Sequence, residues 1–172
     1  MKKTKVAFLD RDGVINSSKI NKGYIGKIKH FKWIKGSKKA IKYLKSKNYK
    51  VVIVTNQSGI ARGYFTTRDV HKVHNYLKSE IVKFGTKIDK IYFCPYHIEG
   101  VIKKYKKNSI MRKPSNGMYM KAGKIWKIDK KKSFMIGDQK TDMEFAKKSK
   151  IKGYLFHTKN LYDFVKSNIA IE

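Results

Sequence analysis

Four of the twelve acidic residues fall into two short motifs, each of which follows an apolar run typical of strands. Asp10 and Asp12 belong to the first motif, and Asp138 and Asp142 belong to the second. Carboxylates that converge in a small space repel each other unless a cation or a proton lies between them. Oxygen ligands of this kind suit Mg²⁺, which binds one or two carboxylates together with water and phosphate. The pattern therefore predicts a magnesium site.

The first motif also offers a nucleophile and a proton carrier. Asp10 stands at the end of the predicted strand, where its carboxylate can attack an electrophile. Asp12 can return to the same place through the turn at Gly13 and act first as an acid and then as a base. Taken alone, an Asp-x-Asp-Gly motif is as often an ordinary turn or helix cap. The assignment therefore depends on the groups that accompany it.

Two further motifs supply groups that bind phosphate oxygens. Thr55 and the backbone amides after it can donate to phosphate where an apolar run ends. Lys113 offers a positive charge to oxygens that gain negative charge during phosphoryl transfer. One lysine carries little weight in so lysine-rich a chain, but the neighbouring Arg112 is one of only four arginines. It can bind an anion through two hydrogen bonds, and Arg62 is a weaker candidate for the same task.

Short β-branched runs alternate with helical stretches, which is the pattern of a parallel sheet with crossover helices. Strands are predicted over residues 5–9, 51–54, 91–93, 133–136 and 151–156, and helices over residues 37–47, 67–84, 117–126, 141–149 and 161–167. The polar motifs stand at the ends of three of these strands, where such sheets bind ligands. We expect a doubly wound, Rossmann-like α/β fold with helices on both faces and a single domain over residues 1–172.

A formal net charge of +30 would attract any polyanion, nucleic acid included. However, only four of the 42 basic residues are arginines, and arginine is the usual residue for contacts to bases and for bidentate contacts to phosphate. The lysines lie along the whole chain. A composition rich in lysine and poor in arginine is also what an AT-rich genome encodes. We therefore favour a compositional origin over a dedicated nucleic-acid surface. The charge remains compatible with a small anionic substrate.

Other classes of protein are disfavoured by hydropathy and cysteine content. No apolar run approaches the ~20 residues that a membrane-spanning helix needs. The apolar stretch near the N-terminus stops at Asp10, so no signal peptide is predicted. The single cysteine, Cys94, excludes an internal disulfide framework and fits a reducing compartment. We expect a cytoplasmic monomer with no membrane partner.

Taken together, the motifs resemble the haloacid dehalogenase superfamily of phosphatases, and within it the D-glycero-D-manno-heptose 1,7-bisphosphate phosphatases and the related histidinol-phosphatases. The matching segments are residues 8–16, 54–63, 92–95, 112–114 with 117–118, and 136–138 with 142–143. The stretch over residues 54–63 is especially specific. The resemblance spans residues 5 to about 157. The short connections between the predicted elements leave no room for a large cap domain, so local loops must shape the pocket.

The resemblance implies a role for each matching residue. Asp10 would be the nucleophile and Asp12 the general acid and base, while Thr55 and Lys113 would stabilise the phosphoryl group. Mg²⁺ would be held by Asp10, by the backbone carbonyl of Asp12 and by Asp138. Substrate contacts would come from Asn21, Lys22, Gly23, Tyr24, Asn56, Gln57, Ser58 and Arg112.

The chain departs from the resemblance in the irregular stretch over residues 94–116. Family members often bind structural zinc there through Cys-x-His and Cys-x-Cys. Cys94 matches, but Tyr96 stands at the histidine position, and Ser109 and Met111 stand at the cysteine positions. Because a tetrahedral zinc site generally needs four Cys or His ligands, we predict no structural zinc. We expect the stretch to be held instead by packing of Tyr92, Tyr96, Ile98 and Tyr105.

The leading expectation is a Mg²⁺-dependent phosphoric monoester hydrolase that removes the 7-phosphate of heptose 1,7-bisphosphate through an aspartyl-phosphate on Asp10. The resemblance places that reaction in the route to nucleotide-activated heptose for surface polysaccharide. Histidinol-phosphate phosphatase and nucleic-acid 3′-phosphatase are alternatives that share the motifs. A polyanion-binding module without catalysis is the alternative from another class, and the intact acidic motifs argue against it. His71 and His74, on the second predicted helix, are expected to be exposed to solvent.

Overall fold

The computed structural model describes residues 3–171, whose strands form one parallel five-stranded sheet. The strands are β1 (Val6–Leu9), β2 (Lys50–Asn56), β3 (Lys90–Cys94), β4 (Phe134–Gly137) and β5 (Lys152–Leu155). The helices are α1 (Ser37–Ser46), α2 (Thr67–Lys83), α3 (Gly117–Gly123), α4 (Lys140–Lys148) and α5 (Leu161–Asn168). The strand order is β3-β2-β1-β4-β5, and every neighbouring pair is parallel. The predicted doubly wound α/β fold is confirmed.

The central strand β1 is apolar throughout because helices cover both faces of the sheet. Ala7 and Leu9 belong to the core cluster that contains residues of α1, α2 and α5. Val6 and Phe8, which alternate with them, belong to the opposite cluster with residues of α3 and α4. All four side chains are completely buried. The period of two along a strand therefore distributes one apolar run between two cores.

The strand order reverses at β1, and this reversal positions the site. The chain passes from β1 to β2 on one side, and later returns to place β4 on the other side of β1. Leu9 pairs with Ile136 in register, so the residues that follow β1 and β4 emerge side by side. A crevice beyond the carboxyl ends of the strands at such a reversal is where doubly wound folds bind ligands.

Two details of the helices differ from the expectation. The second helix was predicted to end at Phe84, but Phe84 follows the last turn of α2 and is 41% exposed. The helix beginning at Gly117 ends at Gly123 rather than near Trp126, and the chain then turns toward the start of the central strand β1, where the backbone N–H of Thr4 donates to the Lys127 carbonyl (2.8 Å). Within residues 3–171, none of the helices combines the length and the apolar composition needed to cross a membrane.

Candidate active site

A cavity of about 200 Å³ opens at the carboxyl ends of β1, β2 and β4. Every residue predicted to act as a catalytic group or as a metal ligand lines it, namely Asp10, Asp12, Thr55, Lys113 and Asp138. Asp10 and Asp12 follow β1, Thr55 lies at the end of β2, Asp138 follows β4, and Lys113 lies in a loop. Of these residues, Asp10 and Asp138 are the farthest apart in the sequence. The parallel sheet thus brings together groups that are far apart in the sequence.

Hydrogen bonds fix Asp10 at the end of β1. Its backbone N–H donates to the carbonyl of Ile136 in β4 (2.9 Å). Its Oδ1 accepts from the backbone N–H of Arg11 (2.8 Å) and from the ammonium of Lys113 (2.9 Å). With Oδ1 committed to two donors, the second oxygen of Asp10 is the atom that can act as a nucleophile.

Lys113 is buried and held from two directions. Its ammonium contacts Asp142 Oδ1 (2.6 Å) as well as Asp10 Oδ1. Its backbone is clamped by the side chain of Asn56, whose Oδ1 accepts from the Lys113 N–H and whose Nδ2 donates to the Lys113 carbonyl (both 3.0 Å). Although burial alone would lower the pKa of Lys113, the charges of Asp10 and Asp142 raise it on balance. A loop lysine therefore presents a fixed positive charge in the cavity.

Asp142, the second carboxylate of the second motif, has two roles in the structure. Its Oδ1 accepts from Lys113 and its Oδ2 accepts from the backbone N–H of Gln139 (3.1 Å), which caps α4. Gly137 makes room for this arrangement, because a Cβ there would lie 2.1 Å from the Cβ of Asp142. Both carboxylate oxygens have partners, so Asp142 is a poorer metal ligand than its neighbours.

Asp138 directly follows β4 and offers the clearest test of whether this cavity fits a cation. Its Oδ2 accepts from Gln139 Nε2 (3.1 Å), whereas its Oδ1 is buried and has no hydrogen-bond partner. A buried acceptor without a partner is costly. Gly13 allows the close approach of Asp138, since a Cβ at Gly13 would lie 2.1 Å from its Oδ2 and the φ of Gly13 is +93°. The residues present therefore fit a divalent cation.

The charge balance of the cavity leads to the same conclusion. Carboxylate oxygens of Asp10, Asp138 and Asp142 lie within 4.8 Å of one another, and Lys113 is the cation that contacts two of them. Burial raises the pKa of Asp10 to about 8 despite the opposing charge of Lys113, and burial also raises the pKa of Asp138. These raised pKa values reflect the crowding of negative charge: when all three carboxylates are ionised, they and one ammonium leave two negative charges in excess, which one Mg²⁺ would neutralise.

The carboxylate of Asp12, unlike those of Asp10 and Asp138, is surrounded by hydrogen-bond donors on both oxygens. Oδ1 accepts from Asn16 Nδ2 (2.8 Å) and from Arg11 Nε (3.0 Å), and Oδ2 accepts from Gln57 Nε2 (2.9 Å) and from Arg11 Nη2 (3.1 Å). Each oxygen therefore has two donors, and its side chain is 16% exposed, toward the cavity. The orientation of Asp12 is fixed from its buried side.

Sequence reasoning missed Arg11 as a residue of the site. Its side chain is completely buried, and its guanidinium also donates to the carbonyl of Ile25 (2.6 Å) and contacts His74 Nε2 (3.1 Å). The expectation that His74 is exposed was wrong, because it packs behind Arg11 and is 4% exposed. His71 is exposed as expected. The scarcity of arginine was a usable signal for Arg11, since this one stands between the two aspartates.

The residues assigned to substrate contact separate into groups. Asn21, Lys22 and Tyr24 line a second cavity of about 420 Å³, while Gly23 lines the cavity of Asp10. The short 3₁₀ turn Asn21–Gly23 thus lies between the two spaces. The lining of the larger cavity also includes the residues Gly26, Lys27, His30, Tyr64 and Phe65.

The other substrate candidates lie beside the cavities or beneath them. Asn56 lines the smaller cavity, but its amide is engaged with Lys113. Gln57 is buried and donates to Asp12 and to Thr55 Oγ1 (2.9 Å). Ser58 is half-buried in the turn that follows. The two amide side chains therefore position Lys113, Asp12 and Thr55 in this structure.

The guanidinium of Arg112 has one nitrogen without a hydrogen-bond partner. Its Nη1 is buried and has no hydrogen-bond partner, and burial together with the charge of Arg62 lowers its pKa. Arg62 itself pairs with Glu99 (3.1 Å). Arg112 therefore has an unused donor, but it lines neither the cavity of Asp10 nor the larger cavity, so its assignment as a substrate contact stays a prediction.

The packing predicted for the loop over residues 95–116 is confirmed except at one residue. Tyr92 and Tyr105 pack against apolar clusters of the core, and the rings of Tyr96 and Tyr105 meet, with centroids 6.1 Å apart. The prediction for Ile98 was wrong, because this side chain is 64% exposed. Backbone hydrogen bonds add to the attachment, since the N–H groups of residues 101 and 102 donate to the carbonyl of Ala61 (2.8 and 2.9 Å).

Comparison with known proteins identifies the family. A family model described as polynucleotide kinase 3 phosphatase matches residues 5–168. A relative from Rhodopseudomonas palustris, named D-glycero-beta-D-manno-heptose-1,7-bisphosphate 7-phosphatase, is 42% identical over 160 residues, which cover 93% of this chain and 87% of the relative. The chain belongs to the haloacid dehalogenase superfamily of phosphatases. The resemblance stated from the motifs is confirmed.

Other members of the superfamily agree with this placement. A relative from Campylobacter jejuni, named D-glycero-alpha-D-manno-heptose-1,7-bisphosphate 7-phosphatase, is 45% identical over 142 residues, or 83% of this chain and 76% of the relative. The crystal structure of D,D-heptose 1,7-bisphosphate phosphatase from B. bronchiseptica, complexed with magnesium and phosphate, matches with a TM-score of 0.80 and 27% identity. The match covers 96% of this chain and 88% of that one.

Proposed function

We propose that this protein is a Mg²⁺-dependent phosphoric monoester hydrolase that removes the 7-phosphate of D-glycero-D-manno-heptose 1,7-bisphosphate. The observation that carries the chemistry is the convergence of Asp10, Lys113 and the unpaired oxygen of Asp138 in one cavity. The substrate follows from relatives of about this length that bear the name of that activity. The anomers in those names differ, so the proposal covers both.

In the first step, Asp10 attacks the phosphorus and the bond to the sugar oxygen breaks. The attacking oxygen is Oδ2, because Oδ1 accepts from Arg11 and Lys113. Lys113 and the hydroxyl of Thr55 stabilise the charge on the phosphoryl oxygens. Thr55 can donate its hydroxyl proton to phosphate because its oxygen already accepts from Gln57. The product of this step is an aspartyl-phosphate.

Asp12 carries the proton in both steps. It protonates the leaving sugar oxygen while the aspartyl-phosphate forms, and it then removes a proton from the water that hydrolyses that intermediate. During each transfer, one of the four donors around its carboxylate gives way to the reacting oxygen. Asp12 and Asp10 line the same cavity, which supports this pairing of proton carrier and nucleophile.

The metal would be held by Asp10, by Asp138 and by the backbone carbonyl of Asp12. When bound, Mg²⁺ neutralises the excess negative charge of the carboxylates and of the incoming phosphate. Asp138 supplies the buried oxygen that otherwise has no partner. Asp142 instead keeps Lys113 and the start of α4 in place.

The larger cavity favours a second phosphate on the substrate. The Asn21–Gly23 turn separates it from the cavity of Asp10, and Lys22 and Lys27 line it. A sugar whose 7-phosphate enters the smaller cavity would extend its 1-phosphate toward these lysines. Histidinol phosphate would instead bring a positively charged amine to them, and like charges repel. We therefore place histidinol phosphate second.

We infer that the partner of the protein is this small anionic sugar phosphate rather than nucleic acid. The basic residues are mostly lysines, and of the four arginines Arg11 is buried and Arg62 is paired with Glu99. We further propose that the protein acts as a monomer in a reducing compartment, where Cys94 stays a buried free thiol, without structural zinc.

The proposal is tested by Mg²⁺-dependent phosphate release from three substrates: heptose 1,7-bisphosphate, histidinol phosphate and a 3′-phosphorylated oligonucleotide. We expect the highest kcat/KM for the heptose bisphosphate. The double variant Lys22→Ala/Lys27→Ala should raise its KM, whereas Lys29→Ala, an exposed lysine outside the cavity lining, serves as the control and should not. A preference of the unaltered enzyme for the oligonucleotide or for histidinol phosphate would overturn the substrate assignment.

A further inference from the structure

The hydrogen bonds around Arg11 suggest more than a structural role. A guanidinium has five N–H donors and no acceptor, and this one faces five acceptor atoms on four residues from separate parts of the chain. Nε and Nη2 contact the two oxygens of Asp12, Nη2 also reaches the carbonyl of Ile25 and Gln57 Oε1 (3.2 Å), and Nη1 contacts His74 Nε2. A side chain with so many fixed partners has little freedom to rotate.

His74 controls the far side of this guanidinium. Because Nη1 can only donate, His74 Nε2 must accept, which requires a neutral imidazole with its proton on Nδ1. The buried position of His74 supports that state. Its ring also packs edge-on against Phe93, with centroids 5.6 Å apart. A neutral histidine held in this way fixes Nη1 of Arg11 and leaves the positive charge of the guanidinium to pair with Asp12.

We propose that Arg11 and His74 are positioning residues, which set the orientation of the Asp12 carboxylate for proton transfer. This inference rests on the proposed function, because it assumes that Asp12 protonates the leaving group. Arg11 binds Asp12 through two parallel hydrogen bonds, and His74 on α2 prevents the guanidinium from turning away. Neither residue lines the cavity of Asp10, so they act through Asp12.

The same bonds connect Asp12 to the segment beside the substrate. Ile25, whose carbonyl accepts from Arg11, directly follows Tyr24 of the larger cavity. Displacement of Arg11 would therefore reorient Asp12 in the cavity of Asp10 and loosen Tyr24 in the larger cavity, and only the first change affects a substrate small enough for the cavity of Asp10. Oriented catalytic groups lose about 10²-fold in rate when they are misplaced by about 1 Å, so the effect should be measurable.

The test compares two substrates of similar shape in the same protein sample. Benzyl phosphate has an alkoxide leaving group that needs a proton from Asp12, whereas the leaving group of 4-nitrophenyl phosphate needs little protonation. We expect His74→Met to lower kcat/KM for benzyl phosphate by about 10²-fold and to change kcat/KM for 4-nitrophenyl phosphate little. The ratio of the two values is independent of the fraction of protein that is folded.

Two further variants separate positioning from structure. His74→Gln keeps an acceptor for Arg11 and should restore most of the ratio. Arg11→Lys keeps the charge but loses the two-pronged contact, and should shift the ratio as His74→Met does. His71→Met is the control, since His71 packs on the same Phe93 ring (5.4 Å) but lies on the exposed side of α2.

The outcomes are distinguishable from a failure of the proposed function. If the unaltered protein released no phosphate from either substrate, the proposed function would be wrong. If it hydrolysed both, and the ratio were unchanged in both His74→Met and Arg11→Lys, the assignment of these two residues as positioning residues would be overturned. Equal losses on both substrates would also contradict it, because they would indicate a purely structural role.

Discussion

The two aspartates of the first motif stand two residues apart in opposite environments. Asp12 has two donors on each oxygen, whereas Asp10 shares one lysine with Asp142 and lies beside the unpaired oxygen of Asp138. The Asp12 side is complete without a ligand. The Asp10 side has excess negative charge and an acceptor without a partner, so it requires a cation. The Asp12 half of the site is thus preorganised, and the Asp10 half is completed by a bound cation.

The largest effect should come from the nucleophile. Asp10→Asn should lower kcat by at least about 10⁴-fold, because no neighbouring group can form the aspartyl-phosphate in its place. The fold should persist, since burial already disfavours the charged form of Asp10 and raises its pKa to about 8. Steady-state kinetics together with thermal unfolding measure both quantities. Activity retained by a folded variant would refute the covalent step.

The cation-requiring half should respond to metal. Removal of divalent ions with a chelator should abolish turnover, and added Mg²⁺ should restore it. Asp138→Asn should raise the Mg²⁺ concentration for half-maximal activity by about 10- to 100-fold, because the buried oxygen loses its charge. Asp163→Asn, at the start of α5, is the matched control. An unchanged Mg²⁺ requirement in Asp138→Asn would show that this carboxylate does not hold the metal.

Gly13 joins the two halves, and its substitution should disturb them together. A Cβ there would lie 2.1 Å from Asp138 Oδ2, and a φ of +93° strains any other residue. We expect Gly13→Ala to lower the free energy of unfolding by about 1–3 kcal/mol and to weaken Mg²⁺ binding. Gly123→Ala, whose Cβ would meet nothing within 4 Å, is the control. Equal stability of the two variants in urea would contradict the close packing at Gly13.

The smallest predicted effect is a pH-dependent loss of stability that arises at His74, on the Asp12 side of the site. Burial, and next the charge of Arg11, lower the pKa of His74 to about 2 from 6.5. Below pH 6.5 the unfolded chain therefore takes up a proton at His74 that the folded chain does not, and stability falls as the pH falls. We expect this residue to contribute a loss of up to about 1.4 kcal/mol per pH unit between pH 6 and 5.

The comparison with His74→Gln isolates this contribution, because the variant lacks the imidazole and keeps an acceptor. Urea unfolding at pH 7 and pH 5 should show a steeper loss of stability in the unaltered protein than in the variant. Parallel pH dependence in the two proteins would mean that His74 is protonated in the folded state, and the hydrogen bond from Arg11 would then be absent.

The central features of the fold followed from the sequence because they depend on local patterns. The run Val6–Leu9 is apolar throughout, as a strand covered on both faces must be. The polar residues after the strands meet because parallel strands end at one edge. Asp10 and Asp138 were therefore predictable as neighbours, and the structure has them line one cavity.

The supporting contacts were not predictable in the same way. Arg11 and His74 are 63 residues apart, and their contact depends on how α2 is rotated against the turn after β1. The sequence predicted the helix that contains His74 but could not show that an arginine from another part of the chain would be its partner. The prediction that Ile98 is packed was wrong for a related reason. Backbone hydrogen bonds to Ala61 help to hold that loop and leave the side chain of Ile98 in solvent.

The central claim, that Asp10 forms a covalent intermediate, is tested most directly by trapping. Asp12→Asn should form the aspartyl-phosphate from 4-nitrophenyl phosphate and hydrolyse it slowly, because the base for the second step is missing. After acid quenching, mass spectrometry of the digested protein should find one phosphoryl group on the peptide that contains Asp10, in proportion to a burst of 4-nitrophenol. A burst of 4-nitrophenol with no phosphorylated Asp10 would contradict the account.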